Sequence, residues 1–204
     1  MRALVLNGTL KPSPQTSNTG GLAAYVGQQL SDHGAEVEQV RVVDHDVAPG
    51  VVSEAVRPGD GWPALHEKVI AADIVVFATP TWMGQPSSVI KRVMERLDAL
   101  VSETQHDGTP IAYNKVCGVL VTGNEDGAHH VIAELAQAAI DVGFTFPGQA
   151  WTYWNKGPGP AKEEYLTSDE QEWTHRTGDA MAHVLVHAAR ALAAMPIPKP
   201  PNAP

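Results

Sequence analysis

The chain has 204 residues, 43% of them hydrophobic and 18% charged, which fits one globular α/β domain and excludes wholesale disorder. Fourteen Lys and Arg against 23 Asp and Glu leave a formal charge of −9, which argues against nucleic acid or an anionic membrane as partner. The single cysteine, Cys117, forms no internal disulfide, no apolar run approaches the ~20 residues of a bilayer span, and no leader pattern precedes the first apolar run, so a cytoplasmic protein is expected.

In chain order, residues 3–6 form a short apolar strand that ends at Asn7-Gly8-Thr9, and 19–33 read as a helix with Leu22, Ala23, Val26 and Leu30 on one face. Residues 37–43 alternate as a second strand. A long polar connection, 44–61, holds Pro49, Gly50, Pro58, Gly59 and Gly61. A short helix over 62–72 precedes the fully apolar third strand at 74–79. Residues 86–100 form a helix with Val89, Ile90, Val93, Met94 and Leu97 inward. A fourth strand is expected over 116–122, a helix over 128–142, a fifth strand over 144–150 and a long helix over 169–194. The segment 195–204 carries five prolines and one charge, so it reads as a solvated tail behind a single domain of residues 1–194.

Strands that are apolar throughout are buried on both faces, as in a parallel sheet covered by helices. Five of them alternating with helices give an α/β doubly wound sheet, with a ligand beyond the carboxyl ends of the strands. Three loops therefore matter: those after strands one, three and four.

The first loop, 8–20, is dense in hydroxyls, amides and exposed N–H groups, and it opens into a helix N-terminus, where the dipole favours an anion. No Asp or Glu precedes Asp32, and Lys11 lies within the loop. A phosphate site is the reading, against an ordinary Ser/Thr-rich turn with a helix cap. The loop has neither the G-x-x-x-x-G-K-[ST] of nucleotide triphosphate binding nor the G-x-G-x-x-G of dinucleotide binding. After strand three, Thr79-Pro80-Thr81-Trp82-Met83-Gly84-Gln85-Pro86 offers a flat apolar face at Trp82 and close backbone approach at Gly84. A surface or interface role would explain Trp82 as well. After strand four, Thr122-Gly123-Asn124-Glu125-Asp126-Gly127 supplies glycines and amides for a ring edge.

Together these loops, G-T-x-K with S-N-T, T-P-T-W-M-G-Q-P-S-S-x-x-K-R, and T-G-N-x-x-G, resemble the NADPH-dependent FMN reductase family and the flavodoxin-like quinone reductases over residues 1–150. The resemblance implies a flavodoxin-like five-stranded sheet in the order 2-1-3-4-5. It implies FMN as cofactor and NADPH or NADH as co-substrate, with hydride passing through flavin N5 to a quinone, free flavin or similar small-molecule acceptor. The phosphate would then lie at Thr9, Lys11, Ser17, Asn18 and Thr19. The isoalloxazine and ribityl chain would lie along Pro80, Thr81, Trp82, Met83 and Gly84, and Thr122, Gly123, Asn124 and Gly127 would complete the site. Since the cofactor carries the chemistry, no catalytic side chain is named. An electron-carrier flavodoxin and a flavin-free interaction module are the alternatives.

Other features read as structural. His175, Asp179, His183 and His187 recur at four-residue spacing on the last helix, where a metal is conceivable. The run lacks the internal Glu of a hydrolytic zinc helix, so a solvated or interface stripe is expected and no metal is assigned. His129 and His130 read as a surface pair at a helix start, with a place facing the flavin as the alternative. The aromatic run 151–154, followed by Gly157-Pro158-Gly159-Pro160, reads as a lid or subunit interface near the flavin, in a homodimer or homotetramer, or equally as core, and the 44–61 connection is given a similar covering role.

Overall fold

A computed structural model describes residues 1–159 and 162–201; Pro160 of the loop named above and 202–204 of the tail lie outside the described residues. Strand β1 (Arg2–Asn7) buries every residue from Ala3 onward. Helix α1 (Asn18–Asp32) starts where the Ser17 hydroxyl accepts the Gly20 N–H at 3.0 Å, and it buries the expected stripe of Leu22, Ala23, Val26 and Leu30. Strand β2 (Glu36–Arg41) and helix α2 (Trp62–Ala71) follow, then the apolar strand β3 (Ile74–Trp82) and a two-residue strand β4 (Gln85–Pro86). Helix α3 (Ser88–Leu97), strand β5 (Val116–Gly123), helix α4 (Ala128–Asp141), strand β6 (Trp151–Asn155) and helix α5 (Glu172–Ala194) complete the chain.

The strands are ordered β2-β1-β3-β5-β6 and are all parallel, while β4 turns back antiparallel on the end of β3. With β4 set aside this is the expected flavodoxin-like order 2-1-3-4-5. One apolar cluster packs α2, α3 and α4 on one face of the sheet, and another packs α1 and α5 on the other.

Several boundaries move. The fifth strand lies at Trp151–Asn155 and not at 144–150, where Pro147 interrupts and only Thr145 bridges to Val116. In β6, Thr152 and Trp154 are buried on one side while Trp151 and Tyr153 pack the other, a period of two that the aromatic composition masked. Strand β3 runs past Thr79 to Trp82, because Pro80 and Thr81 sit in register with Thr122 and Pro86. What read as a loop is a tight hairpin, with Met83 (φ 52°) and Gly84 (φ 72°) at its two turn positions.

The 44–61 connection is tied to the core, while Val51, Val52 and Val56 on it stay exposed. Arg96 on α3 is fully buried; its guanidinium meets the Asp60 carboxylate at 3.1 Å, donates to the Ala48 and Glu54 carbonyls and lies 5.6 Å over the Trp62 ring. Burial raises the Asp60 pKa, but the N–H groups of Ala48, Val56 and Trp62 and the Arg96 charge outweigh it and hold the carboxyl at about 2. The connection is thus pinned to the core. The tail is also tied: the Ile197 N–H donates to Asn114 Oδ1 at 2.7 Å, and Asn114 Nδ2 returns a bond to the Ile197 carbonyl at 3.2 Å. Residues 195–199 and 201 are exposed, as a solvated tail would be, and these two bonds tie the segment at Ile197. Among the described residues no helix is long and apolar enough to cross a membrane.

Candidate functional site

The carboxyl ends of β1, β3 and β5 meet the first turn of α1 around a cleft of about 150 Å³. The chain leaves β1 hard against α3: a Cβ on Gly8 would fall 2.7 Å from that of Ile90, the Gly8 N–H donates to the Ala78 carbonyl, and the Ser87 hydroxyl donates to the Gly8 carbonyl at 2.5 Å. Asn7 Oδ1 then accepts the Thr9 N–H at 3.0 Å, which turns the loop upward. Farther out, Asp44 holds Ser13 by its N–H at 2.8 Å and its hydroxyl at 2.5 Å. Those bonds keep the Asp44 carboxyl below its usual range, the hydroxyl's being the larger effect. Arg41 donates to the carbonyls of Lys11 and Gln15, so the length of this loop is matched by anchors on both sides of residue 13.

Of the residues read from the sequence, Thr9, Lys11, Ser17, Asn18, Thr19, Pro80, Thr81, Trp82, Thr122, Gly123 and Asn124 line this one cleft. Thr19 and Thr122 share a buried hydroxyl bond at 2.7 Å that joins α1 to the end of β5. Three residues lie outside the lining. Met83 is 91% exposed at the hairpin tip, and its N–H donates to Glu125 Oε1 at 2.5 Å. Gly127 serves the packing instead: a Cβ there (φ 111°) would fall 2.8 Å from Gly84 Cα, so the hairpin packs on the N-terminus of α4 because Gly127 is bare, whereas Gly84 has open space around it and is favoured only by its φ of 72° in the turn.

The cleft also contains Leu10, Trp154, Glu163 and Glu164, which the loop motifs did not point to. Trp154 comes from the inward side of β6, and its Nε1 donates to the Glu170 carbonyl. Asn18 Nδ2 donates to Glu164 at 3.3 Å while its Oδ1 accepts the Leu166 N–H, so its side chain holds the segment after β6 against α1. Tyr165 anchors that segment; it is buried, its hydroxyl meets His175 Nε2 at 3.0 Å, and burial pushes its pKa up to about 12. The first loop is acid-free along the chain but not in space. Glu163, paired with Lys156 at 2.8 Å, and Glu164 reach the cleft from more than a hundred residues away.

His129 and His130 do not reach the cleft. His129 meets the Trp151 and Tyr153 rings edge-on, and His130 Nε2 lies 3.0 Å from Gln85 Nε2. Cys117 is buried in β5, and burial raises its thiol to about 12, the expected inert core cysteine. Among the larger clefts, those of about 460 and 670 Å³ lie at the amino ends of the strands around Arg2 and Lys115, away from where doubly wound sheets take ligands, and one of about 390 Å³ lies between residues 42–47 and the start of α3.

Two buried polar atoms here have no hydrogen-bond partner among the described residues: Asn7 Nδ2, 3.2 Å from where a Cβ on Gly20 would lie, and Thr81 Oγ1. Of the two, only Thr81 lines the cleft, where a ligand could supply the missing partner, and the N-terminus of α1 that also opens there suits a phosphorylated ligand. Residues 1–159 match the sequence profile of the NADPH-dependent FMN reductases. The chain belongs to the NADPH-dependent FMN reductase family.

Members of this family are flavin oxidoreductases acting on small molecules, and their FMN chemistry agrees with the cleft described. Similarity to individual proteins extends past residue 159. The chain is 35% identical over 207 residues to 8-demethyl-8-aminoriboflavin-5'-phosphate synthase of Streptomyces davaonensis, covering 96% of this chain and 80% of that one. The crystal structure of RosB with bound 8-demethyl-8-formylriboflavin-5'-phosphate superposes with a TM-score of 0.85 at 34% identity, over 97% of this chain and 82% of that one. A divalent metal cation transporter, MntH of Mycobacterium bovis, is 40% identical over 209 residues, covering 98% of this chain. The chain spans only 30% of that relative's length.

Proposed function

We propose that the protein is an FMN-dependent NAD(P)H oxidoreductase whose acceptor is a quinone, a free flavin or a similar small molecule. The observation that supports this most is the meeting, in one cleft at the switch point of the sheet, of the α1 N-terminus with Lys11 and the β3–β4 hairpin with Trp82. FMN held there would supply the hydride-transfer chemistry between NADPH or NADH and the acceptor. The residues do the holding. Thr9, Lys11, Ser17 and Thr19 surround the phosphate with hydroxyls, one ammonium and the helix dipole. Thr81 Oγ1 gains the partner it lacks. Pro80, Thr81 and Trp82 bed the ring system, Thr122, Gly123 and Asn124 meet its polar edge, and half-exposed Trp82 leaves a face open to a second substrate.

A second reading rests on the length of the similarity to the riboflavin-phosphate synthase, which continues through the Glu163–Glu164 side of the cleft where the family profile stops. On that reading the flavin is itself the substrate and is altered at its 8-position. Steady-state oxidation of NADPH and NADH with quinone and free-flavin acceptors tests the first reading. Mass spectrometry of the flavin recovered after incubation tests the second: unchanged FMN with sustained turnover supports the oxidoreductase, and a mass change without turnover supports the synthase-like reaction.

A further inference from the structure

The histidine stripe of α5 divides in two. His175 stacks on Tyr25 at 3.9 Å between ring centroids, and the Tyr25 hydroxyl donates to Asp179 at 2.6 Å, so the first half of the stripe packs against α1. The second half meets a residue that spacing on α5 could not reveal. His33, which caps the C-terminus of α1, brings its ring centroid to 5.6 Å from that of His183 and 6.4 Å from that of His187, and the last two are 4.1 Å apart.

We propose that His33, His183 and His187 form a transition-metal site that clasps α1 to α5 and takes a borderline divalent cation of the Zn²⁺ type. His183 and His187 stand four residues apart on one helix face, the spacing by which a helix presents two imidazoles to one ion. Imidazole nitrogens at ~2.0–2.1 Å around a tetrahedral ion put ring centroids ~5 Å apart, and the three separations bracket that value. The tautomer of one ligand is already set. His187 Nδ1 lies 2.7 Å from the His183 carbonyl, which only accepts, so Nδ1 carries the proton and Nε2 keeps its lone pair for a metal. His183 and His187 are exposed and His33 is half-buried, so an ion has access from solvent. The guanidinium of Arg190 is engaged with the His33 carbonyl at 2.6 Å.

As they stand, no three His, Cys, Asp or Glu side chains among the described residues are placed to hold a metal ion, this cluster included. The His183 and His187 rings are tilted by 32°, so closure takes rotation about side-chain bonds. Three protein nitrogens leave a fourth position for water. The site stands at the far end of the 15-residue α1 from Ser17, ~22 Å at 1.5 Å per residue, so its role is mechanical and stands apart from the flavin reading. Fixing α1 to α5 stiffens the helix whose other end carries the first loop of the cleft.

Calorimetric titration of the full metal-free chain with Zn²⁺ tests the proposal, together with the melting temperature with and without the ion. One equivalent bound, a rise in melting temperature and a tetrahedral Co²⁺ absorption spectrum are expected. His33→Ala should weaken Zn²⁺ at least about tenfold, and the pair H183A/H187A about 100-fold or more, both without the thermal shift. His106→Ala, an exposed histidine outside the cluster, should change nothing. Unaltered Zn²⁺ affinity in His33→Ala would overturn the proposal, as would a parent chain that gains no stability from Zn²⁺.

Discussion

Ser17→Asp separates the fold from the phosphate site. The Ser17 hydroxyl caps α1 through the Gly20 N–H at 3.0 Å, and the residue is 6% exposed in the wall of the cleft. Aspartate caps a helix as well as serine and suits the dipole better, so the melting temperature should hold or rise slightly. Binding should suffer. A carboxylate ~4 Å from a phosphate charge is repelled by ~4 kcal/mol at an effective dielectric of ~20, and the lost charge-assisted bond adds ~1.5–3 kcal/mol. Solvent in the open cleft screens part of this, which leaves at least ~3 kcal/mol, a loss of more than about 100-fold in FMN affinity. Riboflavin lacks the phosphate and serves as the internal control. Fluorescence titrations of both ligands against parent and variant measure the difference. An unchanged FMN affinity, or an equal loss for FMN and riboflavin, would refute a phosphate at the N-terminus of α1.

Other expectations follow the same geometry. Trp82→Ala should weaken FMN by ~1–3 kcal/mol in the same titration while the mass by ultracentrifugation stays constant; a changed mass with unchanged affinity would make Trp82 an interface residue. Arg96→Met leaves the Asp60 carboxylate buried without its cation and should lower the urea-unfolding free energy by ~3 kcal/mol. Because the Asp60 pKa is depressed on folding, the stability it contributes is present above the unfolded value of ~3.9 and is lost as pH falls towards about 2, and acid titrations of parent and Asp60→Asn should diverge in that window. Truncation after Ala194 removes the two bonds between Asn114 and Ile197, so the melt should fall by about 2–8 °C for ~1–2 kcal/mol, and an unchanged melt would restore the view of a free tail.

Much of this was legible because apolar runs and loop chemistry are local. The buried stretch of β3, the stripe of α1 and the hydroxyl-rich loop that leads into it from β1 follow from adjacent residues, and they place most of the cleft. What escaped was set by distant partners. Nothing near Asp60 announces Arg96, whose charge turns a Pro/Gly-rich connection into part of the core. Pro80 and Thr81 looked like loop until the register with Thr122 and Pro86 was known. Glu163, Glu164 and Trp154 reach the cleft because β6 and the turn behind it fold over α1. Gly84 and Gly127 were placed on the ligand by motif, whereas Gly127 lets two backbones touch and Gly84 supplies the left-handed φ of the hairpin turn.

The central claim is tested most directly by loading the protein with FMN and mixing it anaerobically with NADPH, and separately with NADH, while the flavin absorbance is followed. Bleaching of the bound flavin by at least one nicotinamide, and recovery of its colour when a quinone is added, is the predicted result. A protein that binds FMN yet keeps its full absorbance with both nicotinamides would contradict the assignment of an NAD(P)H oxidoreductase.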